Sequence, residues 1–110
     1  MESGGEFQWM SLLQRRADFA RKSAAGARTP NIAREFEELA ALYSEAMEAR
    51  HTLPSDAKDE IIRHLHARAN QFLSEARSLT SRSESARADE LKFLAGAFGA
   101  EASRLKNDTR

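Results

Sequence analysis

The chain has no cysteine, only two prolines, and aromatic residues at 7% of its 110 positions. Without cysteine there is no disulfide, no thiolate chemistry and no cysteine-based zinc site. Charge of either sign is not in excess: 17 Lys and Arg balance 17 Asp and Glu. A neutral chain has no built-in pull towards phosphate or an acidic membrane. No apolar run approaches the length of a membrane span. The N-terminus lacks the basic, apolar and small-residue sections of a signal peptide, so the expected location is the cytoplasm. No glycine-rich phosphate loop is present, nor any nucleophile-and-base arrangement. Neither a cofactor nor a small-molecule substrate is implied, and an enzyme is not expected.

What the chain does have is alanine, glutamate, arginine and leucine, the composition of helices and coiled coils. Charged residues are 31% of the chain and apolar residues 41%, with alanine supplying close to half of the latter. Apolar side chains fall at alternating spacings of three and four in four segments. Met10, Leu13, Ala17, Ala20 and Ala24 make the first stripe, and Ile32, Phe36, Leu39, Tyr43 and Ala46 the second. Ile62, Leu65, Ala69, Phe72, Ala76 and Leu79 make the third. Leu91, Leu94, Phe98 and Leu105 make the fourth, with Glu101 interrupting it. This is the period of helices packed at shallow angles.

Breaks separate the stripes. Gly26 is expected to end the first helix in the left-handed conformation. Thr29 then caps the second, with Pro30 at its first position, where a missing N–H costs nothing. Pro54 ends helical continuity at the second break, and Ser55 or Asp56 is expected to cap the third helix. Around the third break, Ser81 and Glu84 have capping-box spacing, and no glycine or proline marks it. The expected fold is therefore all-α, an antiparallel four-helix bundle over residues 9–106. The alternative is three helices, the last running unbroken from Ala57 to Lys106. Residues 1–8 are expected to be a flexible tail or a linker left by a cloning vector, of which Gly4-Gly5-Glu6-Phe7 is suggestive, and residues 107–110 should fray.

Alanine seams let helices approach but bury little area, at roughly 25 cal/mol per Å². The core is expected to rest on Leu13, Phe19, Phe36, Leu39, Tyr43, Leu65, Phe72, Leu94 and Phe98. Trp9, Leu12, Leu42, Leu53, Ile61, Leu73 and Phe93 lie off the stripes. Left exposed, they would form a partner surface or a dimer contact. Gly96 and Gly99 break an otherwise strong helical run, and close helix packing is the expected reason, with a kink or a partner's docking groove as the alternative. The expected function is a helical protein–protein interaction module or small adaptor. It would self-associate or dock a partner helix, with Leu42, Leu73, Phe93, Gly96 and Gly99 as the contact residues.

The alternative is a small regulator that binds nucleic acid through the basic first helix, using Arg15, Arg16, Arg21 and Lys22 near Phe19. Against it, Glu35, Glu37, Glu38, Glu45 and Glu48 on the second helix match that strip in charge, so paired or solvated cations are the expectation. Glu48 and His51 have the spacing of a di-iron ligand pair, but a single copy cannot build such a centre. His64 and His66 project about 200° apart on a helix and cannot share one metal. His66 is expected to be half-buried beside Ile62 and Leu73.

The stretch from Arg16 to Ala46 resembles a group of small helical-hairpin proteins of alphaproteobacteria. The matching residues are Arg16-Ala17, Arg21, Ala24, Pro30, Leu39-Ala40 and Tyr43. This resemblance covers under a third of the chain and implies a bacterial origin but no activity. Leu42-Tyr43 and the run from Leu65 to Leu79, with Phe72-Leu73 and Ala76, are similar to the second and third helices of the microtubule-interacting and transport domain. That module binds short helices. The chain departs from it in its longer first hairpin and its fourth helix.

Overall fold

The computed structural model describes residues 2–49, 54–79 and 84–108. These form four helices, α1 (Glu2–Ala25), α2 (Pro30–Glu48), α3 (Pro54–Ser78) and α4 (Ser85–Asp108). No strand occurs among the described residues, so the class is all-α as expected. By contacts the chain divides into two compact units, Met1–Asp59 and Glu60–Arg110.

In the first unit α1 packs along α2. The connection between them follows from local chemistry. Thr29 is extended, at φ −135° and ψ 155°, as the residue before a proline is biased to be. Its hydroxyl accepts a hydrogen bond of 3.3 Å from the Ile32 backbone N–H, and Pro30 opens the helix. Gly26 departs from expectation: no described glycine has positive φ. Its N–H still donates to the Lys22 carbonyl at 3.0 Å, one last regular turn. The reversal is thus made by the extended Thr29 and not by a left-handed glycine. At the far end of α2, the Ala49 N–H donates to the carbonyls of both Glu45 and Ala46.

The buried side of α1 is Trp9, Leu12, Leu13, Ala17 and Ala20, and that of α2 is Ile32, Phe36, Leu39, Ala40 and Tyr43. Two expectations for α1 are corrected. Met10 and Phe19 are exposed, at 38% and 41%, while Trp9 and Leu12 are buried. Leu13, Ala17 and Ala20 stay on the buried side as expected, and at the start of the stripe Trp9 and Leu12 take the place of Met10 and bury more apolar area than it would alone. Phe19 lies about 200° from Ala17 on the helix, which takes it off the buried side. The α1 helix also takes in residues 2–8, which were expected to be a tail or linker.

In the second unit, α3 and α4 are antiparallel neighbours. The Phe72 and Phe98 rings meet edge to face, 5.2 Å between centroids and 88° between planes. Arg87 on α4 reaches Glu75 on α3 at 3.7 Å and Glu90 on its own helix at 3.3 Å. On one unbroken helix Phe72 and Phe98 would stand about 39 Å apart, so the three-helix alternative is excluded. The end of α3 has its own cap: the Ser78 hydroxyl donates to the Glu75 carbonyl at 2.7 Å. The expected capping residue Ser81 lies outside the described residues. At the other end, α3 begins at Pro54, which fills the first helical position and leaves Ser55 and Asp56 inside the first turn, not before it.

The buried residues of this unit are Ile61, Leu65, Ala69, Phe72 and Ala76 on α3, and Leu91, Leu94, Ala95, Phe98, Ala102 and Leu105 on α4. Ile61 replaces Ile62 at the start of the expected stripe, and Leu65, Ala69, Phe72 and Ala76 keep their expected side. Glu101, read as an interruption, is 1% exposed and sits among them. No buried side-chain nitrogen or oxygen among the described residues lacks a hydrogen-bond partner, so its burial does not orphan the carboxylate.

Candidate interaction surface

Burying Leu91, Leu94, Phe98 and Leu105 fixes which side of α4 faces outward. Ala86, Asp89, Phe93, Gly96, Ala100 and Ser103 are all exposed, and their spacing alternates three and four. That is the period of a second helical seam, on the opposite side from the first. Its largest member, Phe93, is 47% exposed.

The glycines next to it are not there for packing within the molecule. A Cβ built on Gly96 or on Gly99 would meet nothing within 4 Å. The expectation of close packing is therefore corrected: both glycines border open space. Gly96 is exposed, and Gly99 is half-buried on the flank of the same seam. A ring standing beside bare backbone makes a knob and a shallow hole on one helix face. Leu42 on α2 and Leu73 on α3 are half-buried, so less of each is offered to solvent than of Phe93.

The basic strip of α1 is partly committed. Arg21 is 3.0 Å from Asp18 on its own helix and donates to the Ser44 hydroxyl of α2 at 3.1 Å. Arg21 thus ties the two helices through the Ser44 hydroxyl. Both Arg21 and Asp18 are about half exposed, so the ion pair is worth tenths of a kcal/mol. The Arg16 guanidinium lies over the Phe19 ring, 4.5 Å from its centroid, which accounts for an exposed phenylalanine that the core does not need. Arg15 and Lys22 are exposed.

His64 is exposed, and so is His66, which corrects its expected half-burial. His66 stands one residue, about 100°, round α3 from the fully buried Leu65, which is enough to put it on the solvent side. Arg68 lies over the Phe72 ring at 4.4 Å and donates to Gln71 at 3.0 Å. His51 lies outside the described residues, and with it the Glu48–His51 pair. Among the described residues no three His, Asp or Glu side chains are placed to hold a metal ion. No described helix is long and apolar enough to cross a membrane. No protein-family model, curated protein or solved structure matches the chain.

Proposed function

We propose that the protein is a non-enzymatic helical interaction module that works in the cytoplasm and docks another helix along the outer face of α4. One observation carries this reading: Phe93 stands exposed beside Gly96 and Gly99, whose Cβ positions open onto free space. Helix-in-groove recognition uses this kind of surface, an apolar anchor next to a place where backbone is approachable. The glycines cost the isolated helix up to roughly 1 kcal/mol each, and contact with a partner helix is the return for that cost.

The test is a photo-crosslinking amino acid placed at Ala100 on the seam and, as a control, at Arg63 on the exposed side of α3. In native cells, adducts are expected from position 100 and not from 63. Equal yields from both positions, or none from position 100, would overturn the reading.

A second reading has a narrower basis. Arg16 stacked on exposed Phe19, with Arg15 and Lys22 close in sequence, is the pairing of ring and cations that single-stranded nucleic acids use. Retention on heparin at low salt, lost on Phe19→Ala, would support it; no retention would remove it.

A further inference from the structure

We infer that the occupant of the α4 face is the α4 helix of a second copy of this chain, lying antiparallel to the first. The inference rests on the reading of this face as a docking surface, and it goes further by naming what docks. Two properties of the seam point to self-pairing. The first is charge. On the outer face the exposed acid Asp89 lies near the start of α4 and the exposed base Arg104 near its end, with Lys92 on the flank between them, while Arg87 is engaged with Glu75 and Glu90. A parallel second copy would set acid on acid and base on base. An antiparallel copy sets acidic end against basic end, twice by symmetry.

The second property is shape. A two-fold axis crossing between Leu94 and Ala95 puts Phe93 of each copy opposite Gly96 of the other. Asp89 then faces Ala100, and Ala86 faces Ser103. The seam so paired runs about 26 Å from Ala86 to Ser103. Asp89 of one copy lies about 6 Å along the axis from Arg104 of the other, within reach of the arginine side chain. Lys92 faces the Ala97–Gly99 stretch and meets no like charge. Each ring fills the hole left by the other copy's missing side chain, which is knobs-into-holes packing with one knob and one hole per helix. Parallel in-register pairing would oppose ring to ring and glycine to glycine, leaving one crowded layer and one empty one.

The experiment is sedimentation equilibrium of the full chain from micromolar to submillimolar concentration, with circular dichroism of each variant to confirm folding. The native chain should show a monomer–dimer equilibrium. Phe93→Lys, at an already exposed position, should weaken the dimer about 30-fold or more. Gly96→Ala should weaken it also, while leaving the fold intact. Asp89→Arg or Arg104→Asp alone should weaken it by roughly fivefold, and the two together should restore it to near the native value. A chain that stays monomeric throughout overturns the inference. So does a dimer in which the paired charge reversal is no better than the two singles combined. In both cases the docking reading stands or falls separately on the crosslink at position 100. A dimer indifferent to Phe93→Lys, with no crosslink from position 100, overturns both.

Discussion

Replacing Gly96 and Gly99 by alanine should make the monomer more stable. Both residues are inside α4, with no neighbouring atom within 4 Å of where the new methyl group would stand. Nothing in the folded molecule has to move. The remaining effect is helix propensity, about 0.8–1.0 kcal/mol per site in favour of alanine. The two sites are one turn apart and need not add fully, so about 1.5–2 kcal/mol is the expected total. For a domain near this size, 1 kcal/mol moves the melting midpoint by roughly 4 °C or more. The double variant should therefore melt at least about 6 °C higher. Had these glycines been there to let helices approach within the molecule, each added methyl would overpack the contact and cost about 1–3 kcal/mol. The two explanations thus differ in sign. The measurement is a thermal and a urea melt by circular dichroism, made in a Phe93→Lys background, because any association of the folded state adds apparent stability. A midpoint that is unchanged or lower would refute the reasoning, and with it the open space over the seam.

Three further outcomes are expected. Thr29→Ala removes the hydroxyl that accepts from the Ile32 N–H and should cost about 1 kcal/mol, read as a lower urea midpoint with an unchanged slope. Phe72→Ala and Phe98→Ala should each cost about 3–5 kcal/mol, and a double-mutant cycle should give a coupling of about 0.5–1.5 kcal/mol; a coupling near zero would mean the rings do not meet edge to face. Glu101→Ala should destabilise by about 1–3 kcal/mol, because it leaves the polar surroundings of a buried carboxylate unpaired, and Glu101→Gln should recover part of that loss; equal melting of native and Glu101→Ala protein would show the carboxylate to be solvated.

Four helices and most of their inward sides are readable in the sequence because leucine and phenylalanine at three- and four-residue spacing leave few other solutions. Leu13, Phe36, Leu39, Tyr43, Leu65, Phe72, Leu94 and Phe98 are all buried as their spacing implies. The departures are of two kinds. Where apolar residues are adjacent, as at Trp9-Met10 and Ile61-Ile62, the same period fits two registers, and only the neighbouring helix decides between them. Where chemistry and position conflict, either one can prevail. Phe19 is apolar by type but stands off the stripe, and it is exposed under Arg16. Glu101 is charged by type but lies three residues past Phe98 and four before Leu105, and it is buried. The candidate surface is legible in part from the sequence, through Phe93, Gly96 and Gly99. Which way those glycines face is not, because a missing side chain has no hydrophobic signal.

The four-residue connection between α1 and α2 also sets an order of events during synthesis. The partners of this hairpin lie close along the chain, so little loop entropy opposes their meeting, and helical pairs with such local contacts form in microseconds to milliseconds. The ribosome adds about 5–20 residues per second, so making the roughly 50 residues from the end of α2 to Phe98 takes several seconds. The Trp9, Leu13, Phe36 and Tyr43 side of the first hairpin is thus brought together long before Phe98 exists to meet Phe72. The seam around Phe93 is made after both helices of the first hairpin, which delays exposure of this apolar surface until that hairpin is already folded.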